Sequence, residues 1–240
     1  MGLILKYIVF ACVTGLYYAV SPSPLVYNTI CLALILVFGI PHGAADHRIN
    51  STIDENSKLS SYIIKYVLIA TGYVVWWIFM PGKALIAFFI LSSYHFGQEF
   101  LEEIKVSTSK VWEIMIWGSA ILIAPIIISY NEIRPNLEFV SKTGLPEVAN
   151  IVLIGLTSIL MGIAAIHSFL LFRKNRIDAS QLRRQIYLLI TLVISFSMLP
   201  FIIAFTLYFI LFHSLNAFKH QFQWLQSKFI RYTIKSLIGD

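Results

Sequence analysis

Residues 185–218 contain no Asp, Glu, Lys or Arg. As one α-helix, rising 1.5 Å per residue, this run would measure about 50 Å, against a bilayer hydrocarbon core of ~30 Å. It is too apolar to be the surface of a soluble domain and too long for a single crossing. Pro200 lies near its middle and has no backbone N–H to donate, so it is the natural place for the run to fold into a tight hairpin of two spans. The rest of the chain repeats the pattern. Of its 240 residues, 58% are hydrophobic and 12% charged, about half the charged share of a typical soluble domain. Reading for runs long enough to cross a bilayer predicts eight spans, near 3–20, 25–42, 61–80, 84–100, 111–130, 148–171, 185–199 and 201–218. The breaks carry turn chemistry: SPSP at 21–24, MPGK at 80–83, and Pro200. The start resembles a signal peptide with a weak small-residue site near Ala19 and Ser21, but the length of the apolar run favours a retained first helix.

The expected fold class is therefore all-α, a polytopic integral membrane helical bundle over residues 1–218. The net charge of +6 is expected to set orientation rather than to recruit nucleic acid. With eight spans, both termini and the even-numbered connections share one side. That side takes 15 of the 18 Lys and Arg residues, and Lys83, Arg134 and Lys142 make up the other 3. The bias predicts cytoplasmic termini in a multi-pass plasma (inner) membrane protein. Residues 219–240 place Phe222, Leu225 and Phe229 on one helical face and Lys228, Arg231 and Lys235 on another. This is the pattern of a basic amphipathic tail, lying either on the cytoplasmic leaflet or against the bundle. Cys12 and Cys31 both fall inside apolar runs and say little about redox compartment.

The eight-span topology makes the histidines informative. His42, His95, His167 and His213 each come late in an even-numbered span, a few residues before the first cytoplasmic charge. Ionisable groups at such depth are costly and face the bundle interior or a polar cavity. Imidazoles converging from several helices build metal sites in bundles, and a single such histidine otherwise makes an interhelical hydrogen bond. In PHGAAD, Gly39, Pro41 and Gly43 surround His42 and are able to break the helix. Asp46, four residues on, either supports or joins a metal site beside His42, or caps the helix and pairs with Arg48. His47 reads as an interfacial histidine. In SSYHFGQEF, Gly97 allows close packing beside His95, while Gln98 and Glu99 read as a solvated helix end. His220 follows His213 by seven residues, about 10 Å along an unbroken helix, and joins it only across a bend. His167, in AAIHSFLLF, has the plainest surroundings. The chain has no CxxC pair, HExxH, GxSxG or Gly-rich phosphate loop. An imidazole-rich site suits Fe, Cu or Zn better than Mg or Ca.

Three strings in this order, GIPHGAAD after span 2, YHFGQ late in span 4 and FHSL late in span 8, resemble the Brp/Blh family of membrane β-carotene 15,15'-dioxygenases. The resemblance runs over nearly the whole chain, and PHGAxD is its most specific part. It implies a multi-span bundle that cleaves the central double bond of β-carotene with O2 to give two retinals, at iron(II) held by histidines. By motif, His42, His95 and His213 are the implied ligands, with Asp46 as a supporting catalytic carboxylate. The family's last motif, HSxxH, has Ala217 here at its second histidine, which leaves His220 or His167 as the fourth ligand, or a three-histidine site. The implied partners are β-carotene, O2 and the lipid bilayer, with a functional link to a microbial rhodopsin in the host.

Other classes fit less well. EEIKVS at 102–107 begins like the EExxxR of CAAX-type intramembrane proteases, but Ser107 stands where the Arg belongs. Six histidines are too few for a membrane desaturase. Span 7 has no mid-span lysine for a retinal Schiff base. The main rival is a non-catalytic carotenoid or retinal binder of the same fold, a reading that Ala217 favours.

Overall fold

The computed structural model describes residues 3–53, 59–104, 106, 110–215 and 218, and the side chains of all of these except 3–4, 40–53, 59–63 and 66. All regular structure among the described residues is helical, with no strand. In chain order they form α1 (Leu3–Val20), α2 (Pro24–Ile53), α3 (Leu59–Phe79), α4 (Pro81–Glu103), α5 (Val111–Gly118), a π-helical turn π1 (Ser119–Ile123), α6 (Ala124–Ile128), α7 (Tyr130–Ser141), α8 (Asn150–Arg173), α9 (Ala179–Met198), α10 (Phe201–Tyr208) and a second π-helical turn π2 (Phe209–Ser214). Among the described residues, three stretches are long and apolar enough to cross a membrane: Pro81–Glu103, Val111–Ile128 and Asn150–Arg173.

The breaks fall where the punctuation predicts. Ser21 takes a left-handed conformation (φ 45°) between α1 and α2. Pro81 opens α4 at a first-turn position, where a missing N–H costs nothing. Leu199 is extended (φ −115°, ψ 152°), as the residue before a proline prefers, and α9 stops there. Of the two courses open to the chain at PHGAAD, a broken helix or a continuing one, the structure takes the second. α2 runs unbroken through Pro41 and Gly43 to Ile53. A lone proline removes one ladder bond, whereas ending the helix would free several backbone groups, each expensive in an apolar setting.

The chain divides into two compact units, residues 70–205 and residues 1–69 with 206–240. In the 70–205 unit, α4 and α5 lie in backbone contact. A Cβ on Gly97 would stand 2.0 Å from the Ile114 carbonyl oxygen, and one on Gly118 would stand 1.7 Å from that of Ser93. Trp117 fills the adjoining core, fully buried, its ring 4.4 Å from Phe100. Pro125 has no N–H to give to Ile121, and the chain just before it widens into π1, with the Ala124 N–H bonding to the Ser119 carbonyl. Polar contacts close one end of the unit. Arg176 bonds to the buried Glu113 at 2.8 Å, Arg184 pairs with Glu103, and Gln181 donates to the Ile104 carbonyl at 2.7 Å while also closing a capping box with Asp178. In the other unit, Tyr17 meets Tyr27 across the α1–α2 turn, and Lys6, 3% exposed, places its ammonium 5.0 Å from the centre of the Phe212 ring.

Candidate metal centre

The YHFGQE string lies on α4. Gly97 faces α5, because only there does the backbone contact occur. At 100° per residue, positions two before and two after Gly97 lie about 160° to 200° round the helix. That places His95 and Glu99 together on the side of α4 turned away from α5. They are four residues apart, one turn, and their nearest ligand atoms, His95 Nε2 and Glu99 Oε2, are 3.9 Å apart. The Glu99 side chain is 24% exposed and that of His95 51%. Gln98 and Glu102 behave as a solvated helix end and bond to each other at 3.0 Å on the exposed surface. Glu99 does not share that role.

His213 lies in π2, the continuation of the helix that α10 begins, and is buried. Its ring sits 5.3 Å from that of Phe209, one turn earlier. The neighbouring Ser214, fully buried, donates its hydroxyl to the Phe38 carbonyl on α2 at 3.1 Å. A Cβ on Gly39 would touch the Phe209 ring at 3.5 Å, so α2 and π2 pack closely at the turn that precedes His42. π-helical turns inside α-helices occur often at functional sites. The Leu215 N–H bonds to the Ile210 carbonyl, the wide spacing of such a turn.

His42, Asp46 and His47 belong to the continuous α2 helix, where a four-residue step places His42 and Asp46 on one face; their side chains lie outside those described. His220 and Ala217 lie outside the described residues, as does the 219–240 tail. His167 is buried on α8, edge-on to Trp112 at 5.5 Å. Neither of its ring nitrogens has a hydrogen-bond partner among the described residues, and it belongs to no group of three metal-ligating side chains there. Glu99 is the donor that sequence reading set aside. The i, i+4 spacing from His95 was the available signal, and the apolar run ending at Phe100 masked it.

A family model described as beta-carotene 15,15'-dioxygenase matches residues 33–240, which include His42, His95, His213 and His220. The chain belongs to the beta-carotene 15,15'-dioxygenase family. Within that family, a protein of an uncultured marine bacterium (66A03) named Beta-carotene 15,15'-dioxygenase is 26% identical over 201 residues, spanning 81% of this chain and 70% of the relative. No solved structure matches the chain. The family name denotes a dioxygenase, and the imidazole and carboxylate of α4 are of the chemical type that holds a transition metal.

Proposed function

We propose that the protein is a membrane-embedded, non-haem iron(II) dioxygenase that cleaves the central 15,15' double bond of β-carotene with O2, giving two molecules of all-trans-retinal. The observation that carries this reading is the family match over 33–240, which contains the ordered PHGAAD, HFGQ and HS strings. The metal is held by His42, His95, His213 and His220, with Asp46 supporting the His42 imidazole. Of these histidines, His95 and His213 are the two whose side chains lie among those described. Iron(II), when bound, supplies the one-electron chemistry that O2 requires. The chain's own residues hold the donors, orient the polyene and exclude water.

β-Carotene partitions into hydrocarbon, so a bundle of eight spans with both termini cytoplasmic receives it laterally from the bilayer. Phe209 and Phe212 precede His213 in sequence and offer aromatic faces for a flat conjugated chain. The balance is closed by the two substrates: one C=C bond and one O=O bond break, two C=O bonds form, and no external reductant is consumed. Retinal made in this way serves a microbial rhodopsin in a host that has one.

The test is expression in cells that make β-carotene, followed by pigment extraction. Bleaching with accumulation of retinal supports the reading. Ala217, standing where the resemblance calls for a histidine, favours one other outcome: unbleached cells with carotenoid bound in stoichiometric amount to the purified protein, which would identify a non-catalytic binder.

A further inference from the structure

We infer that Glu99 is a direct ligand of the metal, forming with His95 a two-donor clamp on α4. The inference rests on the metal-dependent reading above and adds a carboxylate to the all-histidine site which that reading contains. Two donors four residues apart on one helix share a face and reach one ion, the principle behind paired metal ligands on helices. Ligands at about 2.0–2.2 Å from a common ion are separated by no more than ~4.4 Å. The 3.9 Å between His95 Nε2 and Glu99 Oε2 meets that limit without rearrangement.

The neighbouring carboxylates make the contrast. Glu103 is matched to Arg184, Glu113 to Arg176, and Glu102 lies on the surface with Gln98. Glu99 stands beside an imidazole, the side chain that the family resemblance makes a ligand. Electrostatics favours the same assignment. Neutral histidines alone would leave a divalent ion with both positive charges inside an apolar span, where uncompensated charge is expensive. One carboxylate halves that charge.

Co(II) titration of the full chain in detergent tests this. The readouts are metal bound per chain, affinity, and the visible ligand-field spectrum, all independent of turnover. Wild type is expected to bind one Co(II). Glu99→Gln is expected to weaken binding by more than the ~10–100-fold that loss of an outer hydrogen-bond partner costs, and to change the spectrum. Glu99→His, which restores a donor, should recover binding with shifted bands and so separates ligand loss from misfolding. If Glu99→Gln retains the wild-type spectrum and affinity while His95→Ala loses the metal, Glu99 is not a ligand and the histidine site stands. If wild type takes up no Co(II), the metal reading fails and this inference fails with it.

Discussion

Gly118 lies so close to Ser93 that a Cβ on the glycine would stand 1.7 Å from the serine carbonyl oxygen, and a Cβ on Gly97 would likewise stand 2.0 Å from the Ile114 carbonyl oxygen. No side chain fits at either point, and the atoms in the way are backbone. Gly118→Ala and Gly97→Ala must therefore push α4 and α5 apart. Each is expected to destabilise the protein by at least the ~1–3 kcal/mol of overpacking. Gly155→Ala, where nothing lies within 4 Å, is expected to be neutral or slightly stabilising. Thermal unfolding in detergent, followed by tryptophan fluorescence, compares the three. Equal melting temperatures for Gly118→Ala and wild type would show that the close contact is not maintained.

Arg176 answers the Glu113 carboxylate, which is 2% exposed, at 2.8 Å. Removing the arginine leaves a buried charge without that partner. Since the Arg176 side chain is itself about one-third exposed, Arg176→Ala is expected to cost toward the lower end of ~3–5 kcal/mol. Combining it with Glu113→Gln should recover part of the loss. Failure of the double variant to improve on Arg176→Ala in the same melting assay would refute the account.

His167 is a test of which imidazoles matter. Its ring is buried with neither nitrogen hydrogen-bonded among the described residues. An apolar side chain of similar shape avoids that desolvation cost. His167→Phe is expected to leave retinal production and metal content unchanged and the melting temperature equal or higher. Loss of bound metal in this variant would make His167 the fourth ligand after all.

His42→Ala, His95→Ala and His213→Ala are each expected to abolish retinal formation in β-carotene-producing cells while the chain still accumulates in the membrane. Treatment of purified wild type with a chelator should do the same, reversibly, with activity returning on addition of Fe(II) but not Mg(II). Ser214→Ala removes only the bond to the Phe38 carbonyl, a loss of about 0.5–1.5 kcal/mol. It should reduce activity partially rather than abolish it.

Much of the helical layout was legible because hydrocarbon length and proline placement are local signals. Ser21, Pro81 and Pro200 mark element boundaries in both sequence and structure. α7 was not legible. Twelve residues, YNEIRPNLEFVS, are too polar to register as a span, and the helix is secured by long-range bonds such as Tyr130 to the Pro146 carbonyl and Arg134 to Glu147. The two π-helical turns were equally hidden, since only the packing of a span decides whether its backbone bonds reach back four residues or five. At the candidate metal centre the histidines stood out as polar residues in greasy surroundings. Glu99 did not, because a carboxylate just before the end of an apolar run looks like an ordinary exit into water.

Phe38 and Ser214, joined by one hydrogen bond, are 176 residues apart in the chain. At synthesis rates of about 5–20 residues per second, roughly 10–35 s pass between their emergence from the ribosome. Throughout that interval α2 lacks the segment that will brace it. The helical turn leading to His42 thus acquires its final neighbour only when nearly the whole protein has been made, which ties maturation of this region to completion of translation.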